Sequence, residues 1–430
     1  MKKLMAIIVI IVLMMAVVGC GKSNTDKKAN SDSADEGKIT IWAWDPNFNI
    51  AIMEKAKEIY LEDHPKVEIE IVDYAKGDLE QKLHTNLASG LTEGLPDIVL
   101  IEDYNAQKYL QSYPGSFEDL TDKLKYSDFA PYKVGLMTLD KKVYGVPFDS
   151  GATGFYYRTD YLEQAGYSTA DLEDITWNEF IEIGKKVLEK TGKQMLALDA
   201  NDGGLMRVMM NSAGSWYFDE SGEINIAQNK AIQESARLYK EIFDSGIAKP
   251  TSGWGEWVGA LNTGDVASVT TGVWITGSVK AEASQSGLWA VAPTPRLDLP
   301  GAVNASNLGG SSWYVLSSSK SKNTAVDFLN TVYGSNVDFY QDILVDRGAV
   351  GSYVPSQSGS AYVKEDEFFG GQKVFSDFSD WMQEIPSISY GLYTYEADAA
   401  IFGVMPEIYS GGSIEEALKK AENQVKSQIQ

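Results

Sequence analysis

Cysteine, histidine and positive charge are all scarce in this chain of 430 residues, which holds one cysteine and two histidines. A lone Cys20 excludes any disulfide within the chain and any cysteine-built metal cluster. His64 sits beside Pro65 at the end of a predicted helix, and His84 lies on the exposed side of a helix carrying Leu79, Leu83 and Leu87. Neither has a serine or cysteine context, and no G-x-S-x-G or H-E-x-x-H run occurs, so a histidine-based triad and a His-rich zinc site are excluded. Asp199 to Gly203 has the wrong spacing for a calcium loop and reads as a turn. No cofactor or metal is expected. Lys+Arg 37 against Asp+Glu 60 gives a net charge of -23, a field that repels nucleic acid and anionic lipid surfaces. No internal repeat of 20 to 50 residues is visible, and stability must rest on core burial.

What is present begins with Met1-Lys2-Lys3, an apolar run from Leu4 to Val18, then Gly19-Cys20. That is the layout of a bacterial lipoprotein signal, with Val17 where leucine is usual. The run is short for a bilayer span of about 20 residues. Residues 1–19 are therefore expected to be a signal peptide and Cys20 the lipidated residue. Residues 20–37, rich in Lys, Ser, Asn and Asp, read as a flexible tether. The expected location is outside the cytoplasm, on the outer face of the cell membrane.

Order begins with the alternating run Lys38 to Trp44, followed by a helix over Asn49 to His64 and a strand at Val67, Ile69 and Ile71. Asp78 is positioned as the N-cap of a helix ending at Gly90. Asp97 to Ile101 is continuously apolar after its aspartate, as for a strand covered on both faces. Strand and helix alternate, so a mostly parallel α/β sheet is predicted, with ligands beyond its carboxyl ends at Trp44-Asp45 and Glu102-Asp103-Tyr104. Further strands are expected near Tyr144 to Phe148, Gly154 to Tyr157, Ala267 to Thr271, Leu288 to Ala292 and Trp313 to Leu316. Thr176 and Glu179 form a capping box for a helix running to Glu189.

Ten Trp and 23 Tyr exceed what a core requires. Many adjoin short polar residues: Trp44-Asp45, Glu102-Asp103-Tyr104, Phe148-Asp149-Ser150, Ser215-Trp216-Tyr217, Thr271 to Trp274, Gly310 to Trp313 and Tyr393-Thr394-Tyr395. A sugar needs this pairing. Its C–H faces stack on flat rings, while its hydroxyls are oriented by carboxylates and amides. Ordinary core packing is the competing account of each single ring, and Trp289 within Ala-Val-Ala reads as core.

The run Lys142 to Leu162, containing Gly145-Val146-Pro147-Phe148-Asp149 and Tyr156-Tyr157-Arg158-Thr159-Asp160-Tyr161-Leu162, resembles the crossover of family 1 extracellular solute-binding proteins. Arg158-Thr159 depart from the usual Asn-Lys. Ile175 to Phe180, Leu308 to Trp313, Ser319 to Lys322, Phe369 to Gln372 and Glu384 to Pro386 are similar to later family stretches. The resemblance implies an α/β, type II periplasmic-binding-protein-like fold of two discontinuous lobes joined by hinge strands. By position these are residues 38–148 with 285–332, and 149–284 with 333–430. It also implies a monomeric receptor, not an enzyme, which captures a mono- or oligosaccharide by hinge closure and delivers it to ABC transporter permease subunits. The residues expected at the ligand are Trp44, Asp45, Glu102, Asp103, Asp149, Trp216, Trp274, Gly310, Trp313, Gln372 and Tyr395. A surface-anchored glycosidase with two acids about 5–10 Å apart, an adhesin or structural lipoprotein, and a receptor for peptides or polyamines remain open.

Overall fold

Strand pairing divides the chain into two five-stranded sheets. The computed structural model describes residues 37–199, 202–219 and 221–429; the expected signal peptide, Cys20 and most of the expected tether lie outside the described residues. The strands in chain order are β1 Gly37–Ala43, β2 Val67–Asp73, β3 Ile98–Glu102, the short hairpin β4 Thr138–Leu139 and β5 Lys142–Val143, then β6 Gly145–Pro147, β7 Thr153–Arg158, β8 Gln194–Leu198, β9 Ala248–Pro250, β10 Val266–Gly272, β11 Trp289–Pro293 and β12 Ser311–Val315. The first sheet has the order β2-β1-β3-β12-β6 and the second β11-β7-β10-β8-β9. Helices flank both, giving the expected two-lobed α/β architecture.

The first sheet shows why period two matters. In β3, Ile98 and Leu100 enter one core with Ile39 and Ile41, while Val99 and Ile101 enter another with Trp42. β12 splits the same way, Trp313 and Val315 to one side and Tyr314 to the other. A central strand covered on both faces has no outward side, so its run is apolar throughout. The helix at Asn49–Asp63 lays Ile52, Met53, Ala56 and Tyr60 on the first core.

In the second lobe the capping box forms as expected. The Glu179 amide donates to Thr176 Oγ1 at 3.2 Å, and the Thr176 amide donates to Glu179 Oε2 at 2.8 Å. That helix, Trp177–Thr191, ends at Gly192 with φ 72°, a left-handed cap that glycine adopts without a steric penalty. The helix near Asp78 instead begins at Lys76, so Asp78 lies in its first turn.

Two segment assignments are corrected. β11, expected in the first lobe, pairs antiparallel with β7 from Trp289↔Arg158 to Pro293↔Gly154, in the second sheet. The helix Val337–Arg347, expected in the second lobe, buries Phe339, Tyr340 and Ile343 in the first core. Alternation marks β11 as a strand without saying which sheet edge it completes, and an apolar helix face fits either core.

Three segments cross between lobes and bond to one another. The Ser150 amide donates to Val350 O at 2.8 Å, the Ser352 amide to Phe148 O at 2.9 Å, and the Leu308 amide to Gly151 O at 2.9 Å. Among the described residues no helix is long and apolar enough to cross a membrane.

Candidate ligand-binding cleft

At the carboxyl end of β3 the acids are occupied internally. Asp103 accepts from Lys133 Nζ at 2.6 Å and from Ser312 Oγ at 3.1 Å, and Lys133 also donates to Ser311 O at 2.8 Å. Both partners of this ion pair are buried. Loss of water pushes the Asp103 carboxyl up to about 6, against the pull of the adjacent ammonium. Asp149, at the crossing, accepts from the Ser311 amide at 2.7 Å and its hydroxyl at 2.9 Å. Gly310 adopts φ 96°, and a Cβ there would lie 2.7 Å from Asp103 Oδ2, so both conformation and space require glycine. These residues form a polar strut tying β3, β12 and the hinge.

Beside the strut the lobes touch through aromatic rings. Tyr104 and Trp216 stack at 5.6 Å and 22°, and Tyr390 meets them at 4.7 and 4.6 Å. Arg207 places its guanidinium 5.3 Å from the Tyr104 ring and pairs with Asp398 at 3.2 Å. Burial holds the Asp398 carboxyl above its ordinary range despite that arginine. Lys108 bridges to Glu396 at 2.9 Å, and Glu102 accepts from Lys76 at 2.6 Å and from the Tyr395 hydroxyl.

A cavity of about 290 Å³ opens at the carboxyl ends of β8 and β10. Trp254, Trp257 and Trp274 surround it, with Asp199 and Asp202 at its edge. Trp254 lies 5.4 Å from Trp257 and 5.9 Å from Trp274, and 56% of it is exposed. The other two indoles are fixed by their N–H groups. Trp274 Nε1 donates to Leu308 O at 3.0 Å, and Trp257 Nε1 to Ala197 O at 3.2 Å. The Gly253 amide donates to Asp199 Oδ2 at 2.9 Å, joining the Trp254 helix to the end of β8. The buried Thr270 hydroxyl, on the cavity lining, has no protein hydrogen-bond partner. Flat rings, carboxylates and an unsatisfied hydroxyl suit a polyol with apolar faces.

The expected site residues therefore separate. Trp274 lines the cavity. Trp216, Glu102 and Tyr395 form the contact between lobes, while Asp103, Asp149 and Gly310 build the strut. Trp44 is half-buried between the two first-lobe cores. Asp45, at φ 63°, accepts from the amides of Asn47 at 3.0 Å and Phe48 at 3.2 Å, shaping the entry to the following helix. Two expectations are corrected. Trp313 is fully buried against Phe148 and Tyr333, because its strand is central. Gln372 exchanges hydrogen bonds with the Val291 backbone at 2.9 and 2.7 Å and so satisfies the outer edge of β11. Sequence reasoning missed Trp254 and Trp257. Their run Ser252-Gly253-Trp254-Gly255-Glu256-Trp257 carries the same signal of rings among small polar residues.

A family model described as bacterial extracellular solute-binding protein matches residues 55–361. A lactose-binding protein of Rhizobium radiobacter is 56% identical over 400 residues, covering 93% of this chain and 95% of that one. An arabinooligosaccharide-binding protein of Bacillus subtilis is 26% identical over 344 residues, 78% of this chain and 77% of the relative. Among solved structures, the galacto-N-biose/lacto-N-biose I-binding protein of a Bifidobacterium longum ABC transporter superposes with TM-score 0.73 at 20% identity, over 92% of this chain and 97% of that one.

Proposed function

The chain belongs to the bacterial extracellular solute-binding proteins, and from that premise we propose that it captures a sugar between its lobes and delivers it unaltered to an ABC importer. The ligand proposed first is a disaccharide of the lactose type. The observation that carries this reading is the ring of three tryptophans, with two aspartates, around the cavity at the ends of β8 and β10. At about 290 Å³ the cavity falls just short of the range of about 300–1,000 Å³ usual for small-molecule sites, which favours a short sugar. The relative at 56% identity is named for lactose.

Capture works by population shift. A sugar seated on the second lobe favours closure only if the first lobe adds contacts in the closed form, since differential affinity alone moves the equilibrium. The three bonded crossing segments confine that motion to a hinge. Asp199 and Asp202 orient hydroxyls rather than break bonds, and no catalytic step is involved. The protein acts as a monomer, anchored through lipidated Cys20 to the outer face of the membrane.

Calorimetric titration with lactose, maltose and arabinooligosaccharides tests the reading. Saturable lactose binding with the sugar recovered intact supports it. Lactose cleavage, or absence of binding to every sugar tried, rejects it. Labelling with a palmitate analogue, lost in Cys20→Ala, tests the anchor.

A further inference from the structure

We propose that an aromatic wall between the lobes closes one end of the cleft and restricts the ligand to short sugars, two rings in preference to three or four. The inference rests on the sugar-binding reading above and adds a length limit to it. Tyr104 lies in the first turn of the first-lobe helix Asp103–Ser112, and its ring packs with Trp216 and Tyr390 in the second lobe's core. Although they come from opposite lobes, Tyr104 is only 3% and Trp216 only 2% exposed. Rings buried to that degree against each other leave no passage between them.

Their polar ends are satisfied as well. Trp216 Nε1 donates to Thr394 Oγ1 at 3.0 Å, and the Gly309 amide donates to the Tyr104 hydroxyl at 3.1 Å. With both rings almost wholly buried, these bonds hold the pair in place as a partition.

The partition adjoins the cavity. Leu308 lines the cavity, and its neighbour Gly309 holds Tyr104. Gly204 also lines it, and on the same helix Arg207 lies against the Tyr104 and Tyr395 rings at 5.3 and 5.8 Å. The Lys108–Glu396 ion pair and the Tyr395–Glu102 hydrogen bond add further ties between the lobes around these rings. A sugar chain growing from the cavity towards Tyr104 meets the stacked rings and their polar surround. To pass, it must separate a pair of desolvated rings and break contacts that hold the lobes together.

Calorimetry of the full chain with lactose and its β-galactosyl-extended trisaccharide and tetrasaccharide tests the wall, in wild type, Trp216→Ala and Tyr104→Ala. Wild type is expected to bind lactose about a hundredfold more tightly than the tetrasaccharide. Each variant should narrow the preference for lactose over the longer sugars about tenfold. Equal wild-type affinity for lactose and tetrasaccharide overturns the wall while leaving sugar capture intact. Loss of lactose binding in a folded Trp216→Ala protein also overturns it, because the ring is then a ligand platform. Should both variants fail to fold, the wild-type length series decides alone. Failure of wild type to bind any sugar rejects the reading on which the wall rests.

Discussion

At the end of β3 in the first lobe, Asp103 is held by Lys133 and Ser312 and is 1% exposed, whereas beyond β8 in the second lobe the Asp202 side chain is 66% exposed. The aromatic residues differ in the same sense. Trp42 and Trp313 of the first lobe are buried in its cores, while Trp254 of the second stands largely in solvent beside a cavity. Both lobes place acids and rings near strand ends, but the acids at the end of β3 are engaged internally while those beyond β8 stand beside an open cavity. A carboxylate withdrawn from water must be paired and hydrogen-bonded, and once paired it is a structural member. On the proposed reading the first lobe supplies the frame at the hinge, and the second carries the surface on which the sugar first seats.

The largest expected effect lies in the frame. Lys133→Met leaves Asp103 buried without its counter-charge, at a cost of about 3–5 kcal/mol near pH 8. Burial already sets the folded Asp103 pKa at about 6, above its ordinary value of 3.8, and removing Lys133 raises it further. A raised carboxyl pKa means that the folded state binds a proton the unfolded state lacks. Stability falls as pH rises through that interval, and the penalty disappears below about pH 4, where both states are protonated. Urea unfolding at pH 8 and pH 5 should show the variant's deficit shrinking at the lower pH. A deficit independent of pH would assign the loss to packing and remove the charge argument for the frame.

The next two predictions address the receptive side. Trp274→Ala should weaken lactose binding by about 2 kcal/mol, the scale of a buried aromatic anchor, and cost about 1 kcal/mol of stability through the lost Leu308 hydrogen bond. Trp254→Ala should weaken binding by about 1 kcal/mol and change stability by less than about 0.5 kcal/mol, since the ring is mostly exposed. Paired titration and thermal unfolding separate the two. Unchanged affinity in both variants would mean that the receptive surface lies elsewhere in the cleft.

Local rules made much of the fold legible. Alternation located β1 and β2, an unbroken apolar run located β3, and Thr176 with Glu179 marked a helix start that forms as read. Which sheet β11 joins was not legible, because pairing partners are set by tertiary packing. The site was harder for a related reason. A ring beside glycine or serine is compatible with cleft and core alike, and what decides is whether its strand is central. Trp313 follows Gly-Gly-Ser-Ser yet sits on β12, flanked by β3 and β6, so it is buried. Trp254 follows Ser-Gly in the first turn of the helix Gly253–Asn262, on no strand at all, and remains exposed. Asp45 presented the same ambiguity with an acid, and the turn it makes gives it a structural partner.

That turn supplies the smallest prediction and the sharpest check on the first lobe as frame. Asp45 adopts a left-handed conformation and its Oδ1 accepts two amides that precede the helix Asn49–Asp63. Asparagine tolerates that conformation and keeps an acceptor oxygen. Asp45→Asn should therefore change stability by less than about 0.5 kcal/mol. Asp45→Ala, which loses the acceptor and resists positive φ, should cost about 1–2 kcal/mol. Neither should alter lactose affinity, because the side chain faces its own helix rather than the cavity. If Asp45→Asn instead weakens lactose binding about tenfold with stability unchanged, the carboxylate charge acts on the ligand, and the division between a structural first lobe and a receptive second one fails at that residue.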